Sequence, residues 1–143
     1  MQKSAKILII TLFIIYLCMV MFFCFYKFGP SALDLGKYFL GIRLDRYAHF
    51  IMFFPYPFIT WLTCRFTASS DFIRRNAVIL TLVSGLVFAG LTEICQDLFF
   101  NSRQGDALDF AADSLSILSG CIIVSIIGHP VVRLIDRIFN KQK

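Results

Sequence analysis

Charged residues are scarce in this chain of 143 residues, because they make up only 16% of it while hydrophobic residues make up 58%. The mean hydropathy is +0.75. A soluble domain of this composition would leave large apolar patches in water, so the composition favours a membrane protein. The length has room for one domain, residues 1–143, with about four membrane spans joined by short connections.

The sequence also lacks the patterns of several functional classes. Its net charge of +5 is not arranged as a basic stripe with interleaved aromatic residues, so we predict no nucleic-acid partner. The five cysteines include no CxxC pair and lie mostly inside apolar runs, which is typical of buried, reduced thiols and not of a disulfide framework. Cys95 is a candidate nucleophile because it lies beside Glu93 and Gln96.

Four apolar runs predict an all-α bundle of four transmembrane helices. The predicted spans are residues 7–26, 47–64, 77–95 and 107–128. The first is longer than the apolar core of a signal peptide, so we expect it to be retained. Between the first two spans we expect a short interfacial helix over residues 33–40, and after the last span a basic cytoplasmic tail over residues 129–143.

Two local features refine these spans. Pro55 and Pro57 predict a kink or a local break in the second span, because neither residue has a backbone donor. The carbonyl groups freed there need partners from neighbouring helices or water. Small residues in the third span, and the Ser116-xxx-Gly120 pair in the fourth, predict close helix packing.

The distribution of Lys and Arg predicts an orientation. Nine of them fall in the N-terminal segment, the loop at residues 65–76 and the tail, whereas five fall in the other two connectors. Cytoplasmic loops carry the excess of Lys and Arg. We therefore expect both termini in the cytoplasm of a multi-pass plasma-membrane protein.

The polar residues within and beside the spans cluster at helix ends on the opposite, non-cytoplasmic side. They are Asp45, Arg46 and His49, then Glu93 and Gln96, then Arg103, Asp109 and Asp113. Asp45 and His49 are four residues apart and share a helix face. Asp113 lies about 9 Å beyond Ala107 at 1.5 Å per residue, a depth at which an ionised group costs a few kcal/mol unless it is paired.

These residues admit a purely architectural interpretation, in which Arg46, Arg103 and His49 pair with the acids and clamp the helices. The excess of carboxylates over nearby cations argues against that interpretation. A nucleophile and base formed by Ser102 or Ser114 with His49 is a further alternative, but it lacks a diagnostic spacing.

A metal site is another alternative. His49, Glu93, Asp109 and Asp113 would supply one nitrogen and several oxygen ligands, a set suited to Zn²⁺, Mn²⁺ or a hard divalent cation. No HExxH motif or similar local signature supports it. From the sequence we therefore predict no metal and no other cofactor.

The order of these motifs resembles that of the VanZ-like family of small membrane proteins, over roughly residues 42–125. The matching residues are Asp45, Arg46, His49 and Phe50, then Glu93 and Gln96, then Arg103, Asp109, Asp113 and Gly120. Where the family typically has Lys, Asn and Gly, this chain has Arg46, Asp113 and Ser116. The resemblance implies a multi-span bacterial membrane protein, and the family's namesake is associated with reduced susceptibility to the glycopeptide teicoplanin.

Together these observations predict a cell-envelope protein with an outward-facing polar pocket that binds a lipid headgroup or a lipid-linked envelope precursor. Arg46 and Arg103 would contact anionic groups, and the other polar residues would form the hydrogen-bonding floor. The alternative is a membrane-embedded enzyme acting on such a lipid, by acid/base or metal-assisted chemistry, with His49 or Glu93 as general acid or base. Binding and catalysis need the same kind of pocket, so the sequence does not separate them or indicate an oligomeric state.

Overall fold

The computed structural model describes residues 3–25, 38–99 and 106–140, of which 89% are helical. The elements in chain order are α1 (Lys3–Phe25), β1 (Tyr38–Phe39), β2 (Ile42–Arg43), α2 (Leu44–Phe53), α3 (Tyr56–Thr67), α4 (Asp71–Arg75), α5 (Ala77–Phe99) and α6 (Ala107–Asn140). Helices α1, α5 and α6 are long and apolar enough to cross a membrane. An all-α membrane bundle is thereby confirmed in outline.

The second predicted span is two helices, because α2 ends at Phe53 and α3 begins at Tyr56. Pro55 and Pro57 cannot donate to the carbonyl groups four residues before them, which interrupts the hydrogen-bond ladder. Neighbouring helices supply hydroxyl donors in the last turns of α2: Tyr16 donates to the Met52 carbonyl at 2.8 Å, and Ser116 donates to the Phe50 carbonyl at 2.6 Å. The predicted break is confirmed. The two hydroxyls reach the carbonyls of Phe50 and Met52, however, and not those of Ile51 and Phe53, which lie four residues before the prolines.

Helix α3 is seated against glycine positions of α5 and α6. A Cβ at Gly85 would lie 2.9 Å from Ile117 and 3.0 Å from the Tyr56 ring, and a Cβ at Gly120 would lie 2.7 Å from the Pro57 ring. The 2.9 Å distance at Gly85 and the 2.7 Å distance at Gly120 are shorter than the contacts that real Cβ atoms make, so a larger residue at either position would force its neighbours to move. The expected close packing is therefore confirmed at these two glycines.

The apolar core lies around these contacts between α3 and the two glycines. Residues at four-residue spacing in α1, namely Tyr16, Val20 and Cys24, form the buried face of that helix. They join a cluster with residues of α2, α3, α5 and α6 that includes Phe53 and Ile117. The rest of α1 exposes aliphatic side chains, as expected of a helix whose other face meets lipid hydrocarbon.

Two predicted boundaries were wrong. Helix α6 does not end at residue 128 but continues through Pro130 to Asn140, so the residues assigned to a separate tail extend the last helix. Residues 38–40 are not helical, because β1 and β2 form an antiparallel hairpin in which Phe39 pairs with Ile42. The remainder of the expected interfacial helix, residues 33–37, lies outside the described residues.

The hairpin turn consists of Leu40 and Gly41, whose φ angles are 51° and 77°. Two-residue hairpin loops require positive φ at both positions when the turn is of type I′, and they favour Asn-Gly there. Glycine meets this requirement without strain, whereas leucine does not. Leu40 is nevertheless 83% exposed, so its side chain is held away from the protein at the tip of the hairpin.

Candidate functional site

The ends of three helices meet at one end of the bundle. Helix α6 packs against both α2 and α5, so the first turns of α2 and α6 lie beside the last turns of α5. The polar side chains there are buried although they are ionisable: Asp45, His49, Glu93, Asp109 and Asp113. The prediction that these residues converge is confirmed by their contacts.

The centre of the cluster is His49. Its Nδ1 atom lies 3.2 Å from both carboxylate oxygens of Asp113 and 3.9 Å from Oε1 of Glu93. Asp113 is fully buried, so the imidazole contact replaces the water that a carboxylate would otherwise require. The three residues come from α2, α5 and α6, which makes this contact a junction of all three helices.

A rim of ion pairs covers the centre. Arg46 Nη2 lies 3.0 Å from Asp106 Oδ2 and its Nε lies 3.6 Å from Asp109 Oδ1. Arg43 pairs with Asp45 and lies 3.5 Å from Asp106. These rim side chains are partly exposed, in contrast to the acids beneath them.

Asp106 begins α6 as its N-cap. Its Oδ1 accepts a hydrogen bond from the Leu108 backbone N–H at 2.9 Å, which is the usual role of an N-cap carboxylate. Its own backbone N–H donates to Oε2 of Glu93 at 3.0 Å. The start of α6 is therefore tied to the end of α5 through one carboxylate.

The environment of Asp106 predicts a pH-dependent contribution to stability. The Leu108 N–H first, and then the Arg46 guanidinium, hold the pKa of the Asp106 carboxyl below its ordinary value of 3.8. A carboxylate whose folded-state pKa is depressed stabilises the fold above its unfolded pKa and loses that contribution as the pH falls through the folded value.

We therefore expect Asp106→Asn, which retains a capping oxygen, to lower the unfolding free energy by about 1 kcal/mol at pH 7. The difference between wild type and variant should shrink as the pH falls from 7 to below the ordinary carboxyl pKa of 3.8. Denaturant unfolding in detergent at the two pH values measures it. A difference that grows on acidification would contradict the assignment.

Carboxylates outnumber the cations of the cluster. Five acids (Asp45, Glu93, Asp106, Asp109, Asp113) face two arginines (Arg43, Arg46) and His49. Oε1 of Glu93 and Oδ1 of Asp109 are buried and have no hydrogen-bond partner among the described residues. The predicted excess of acid is thus present. The nitrogen atoms that face these two oxygens, Arg46 Nε at 3.6 Å from Asp109 and His49 Nδ1 at 3.9 Å from Glu93, lie beyond hydrogen-bond distance.

Not every predicted residue joins the cluster. Gln96 is buried, but its amide donates to the Cys24 carbonyl of α1 at 2.9 Å and so fastens α5 to α1. Arg103 and Ser102 lie outside the described residues. The hydroxyl of Ser114 makes no hydrogen bond within the described chain, so no serine and histidine pair is formed by this residue.

Two residues of the rim were not among the predicted site residues. Asp106 immediately precedes the first apolar residue of the fourth run, which is the usual sequence signal of an N-cap. Arg43 carried no such signal, because its contacts with Asp45 and Asp106 depend on the hairpin that brings it to the start of α2.

A separate cleft of about 340 Å³ lies at the other end of the bundle, where α3 and α6 pass α5 and α4. Its lining includes Trp61, Arg65, Arg74, Arg75 and His129. The cleft is basic, whereas the cluster around His49 is acidic. The two ends of the bundle therefore differ in the sign of their charge.

In comparisons with known proteins, no family model, no curated protein and no solved structure matches this chain.

Proposed function

We propose that this chain is a VanZ-like plasma-membrane protein with four spans, α2 and α3 together forming the second. Residues 44–67 rise about 36 Å at 1.5 Å per residue, enough for a hydrocarbon core of about 30 Å. The half-buried break between α2 and α3 is compatible with a span because hydroxyl groups of α1 and α6 donate to carbonyls in the turn before it.

In the proposed orientation both termini and the basic cleft face the cytoplasm, and the acidic cluster faces outward. The three arginines that line the basic cleft, Arg65, Arg74 and Arg75, support this orientation through the positive-inside rule, which counts Lys and Arg. In a cysteine-free variant, a cysteine at Ala107 should react with a membrane-impermeant maleimide in intact cells. A cysteine at Ser69 should react only after permeabilisation, and the opposite pattern would reverse the orientation.

The proposed function is to bind the polar headgroup of a membrane lipid or of a lipid-linked envelope precursor at the acidic cluster. One observation carries this proposal: a buried polar cluster lies directly beside an exposed apolar hairpin. Arg43 is both the last residue of β2 and a member of the rim. The side chains of Tyr38, Phe39 and Leu40 on the same hairpin are exposed.

The hairpin is fixed relative to the cluster. The Tyr47 hydroxyl donates to the Phe39 carbonyl at 3.3 Å, and the two rings pack edge to face with centroids 6.2 Å apart. Because α2 carries both Tyr47 and His49, the apolar hairpin and the polar cluster form one surface. Such a surface complements an amphiphile, whose headgroup would meet the rim while its chains follow the hairpin into the bilayer.

Native mass spectrometry tests this proposal. The protein is reconstituted in nanodiscs of phosphatidylethanolamine, phosphatidylglycerol, cardiolipin and bacterial envelope lipid extract, then released and weighed. We expect wild type to retain one headgroup class, and Arg46→Gln to reduce that retention about tenfold through loss of a charged hydrogen bond. Arg75→Gln, which removes an exposed arginine at the opposite end, is the control.

Equal losses in Arg46→Gln and Arg75→Gln, or no retained lipid in wild type, would refute the headgroup site. Retention that survives every substitution in the cluster would favour the architectural interpretation instead. If the retained headgroup is that of an extracellular envelope precursor, this result would connect the chain to teicoplanin susceptibility. The resemblance to the VanZ-like family suggests the same connection. The minimum inhibitory concentration with and without the gene measures that connection.

A second candidate function is catalysis on the same lipid. The contact between His49 and Asp113 favours it, because a carboxylate that holds an imidazole fixes the ring for proton transfer. Alanine variants of His49 and Glu93 separate the candidates. An enzyme would lose turnover of the lipid while still retaining it, whereas a binding protein would lose retention.

A further inference from the structure

The buried part of the cluster lies beneath the partly exposed rim side chains of Arg43, Arg46 and Asp106. His49, Glu93 and Asp109 each offer one ligand atom, and these three atoms all lie within 4.8 Å of one another. Each residue is less than 10% exposed. We propose that this triad binds one divalent transition-metal ion of the Mn²⁺ or Zn²⁺ class.

The distances suit such an ion. Ligand atoms about 2.0–2.2 Å from a common metal are at most about 4.4 Å apart, so an inward movement of well under 1 Å closes the triad from its present spacing. One imidazole nitrogen with carboxylate oxygens suits Zn²⁺, Mn²⁺ and Fe²⁺, whereas Mg²⁺ and Ca²⁺ prefer oxygen alone. The imidazole therefore selects among divalent ions.

Two unpartnered oxygens support the site independently of its composition. Oε1 of Glu93 lies toward His49, at 3.9 Å from Nδ1, and Oδ1 of Asp109 lies near Arg46, at 3.6 Å from Nε. Neither oxygen accepts a hydrogen bond within the described part of the chain. Buried carboxylate oxygens without donors are costly, and a bound cation removes that cost for both at once.

The charge balance agrees with a cation. The carboxylates that surround the triad include Asp45, Asp106 and Asp113, and the cations are Arg43 and Arg46, which already pair with acids of the rim. Close carboxylates repel one another in a site of low dielectric. A divalent ion brings the local charge close to neutral, which an anionic ligand alone would not do.

Asp113 is the positioning residue of the proposed site. Metal-binding histidines are commonly oriented by a carboxylate on the ring, and loss of that carboxylate lowers metal affinity by about 10- to 100-fold. Asp113 contacts Nδ1 of His49 with both oxygens at 3.2 Å, so in the proposed site the ion takes the other ring nitrogen, Nε2. Three protein ligands also leave coordination positions open for water or for a ligand oxygen. The metal site goes beyond the proposed headgroup binding and does not require it.

Electron paramagnetic resonance with Mn²⁺ tests the inference. Wild type purified in detergent is stripped with a chelator and titrated with Mn²⁺, whose six-line solution spectrum is lost on binding. We expect one Mn²⁺ per chain, displaced by Zn²⁺. Glu93→Gln and Asp109→Asn should each weaken binding at least about 100-fold, and Asp113→Asn about 10- to 100-fold.

The matched control is Asp97→Asn, which removes an exposed carboxylate from the same end of α5 and should leave affinity within about twofold. Pulsed electron paramagnetic resonance on the wild type alone adds a measurement that does not depend on how the variants fold. An imidazole ligand produces ¹⁴N modulation of the spin echo of bound Mn²⁺. No stoichiometric binding, no ¹⁴N modulation, or an equal effect of Asp97→Asn and Glu93→Gln would each overturn the metal site. Lipid retention is scored separately, so either proposal can fail while the other stands.

Discussion

Replacing Gly120 with alanine is expected to destabilise the protein by about 3 kcal/mol, at the upper end of what overpacking a core costs. The new Cβ would lie 2.7 Å from Cγ and 3.1 Å from Cβ of Pro57. A proline ring has no rotamer that moves it aside, and Pro57 is itself buried on the first turn of α3. Relief would therefore require moving the α3 backbone away from α6.

Gly90→Ala is the matched control in α5. The nearest atom to its Cβ is Cε2 of Phe110 at 3.7 Å, an ordinary contact. Because alanine has a higher helix propensity than glycine, this variant should be unchanged or more stable by up to about 1 kcal/mol. The fluorescence of Trp61, the single tryptophan of the chain, can follow unfolding in both variants. Equal stability of the two would show that the glycine contact in α6 does not matter.

Replacing Asp113 with alanine is expected to cost about 2–4 kcal/mol, because it leaves a cavity and removes the carboxylate from a buried histidine contact. Asp113 is fully buried, and its two carboxylate oxygens are the hydrogen-bond partners of the His49 ring in the described chain. The loss should appear as a lower unfolding midpoint in detergent, with the wild-type helical circular dichroism retained at low temperature.

Asp113→Asn should behave differently. The amide oxygen keeps an acceptor for the imidazole while one negative charge leaves an acid-rich cluster, so we expect a change of less than about 1 kcal/mol in either direction. Asp97→Ala, at an exposed position, should stay within about 0.5 kcal/mol. A cost for Asp113→Asn as large as that for Asp113→Ala would mean that the charge, and not the hydrogen bond, holds His49.

The outline of the fold could be predicted because lipid imposes simple rules on a sequence. Long apolar runs must be helical to satisfy their backbones, and short connectors between them bring the end of one helix beside the start of the next. Those two rules predict that Glu93, near the end of the third apolar run, lies close to Asp109, near the start of the fourth. The break before Tyr56 followed from the missing donors of two prolines.

Other features depend on tertiary context that local patterns do not contain. Leu40 is a poor residue for a turn with positive φ, so nothing local indicated the hairpin that brings Arg43 to the rim. Pro130 usually marks the end of a helix, yet α6 continues past it. Gln96 had the spacing of a site residue, but its partner is a carbonyl group of α1, which only the packing of α5 against α1 determines.

The interruption at Phe54 and Pro55 separates two helices, α2 and α3, that the bundle holds in different ways. Helix α3 is immobilised by the glycine contacts around Tyr56 and Pro57. Helix α2 is held at its start by the contacts of Arg46 and His49 with α6. At its end it is held by the buried Phe53 and by the hydroxyls of Tyr16 and Ser116. The two helices on either side of the proline break are therefore anchored by different kinds of contact: close packing against glycine for α3, and polar contacts together with the buried Phe53 for α2.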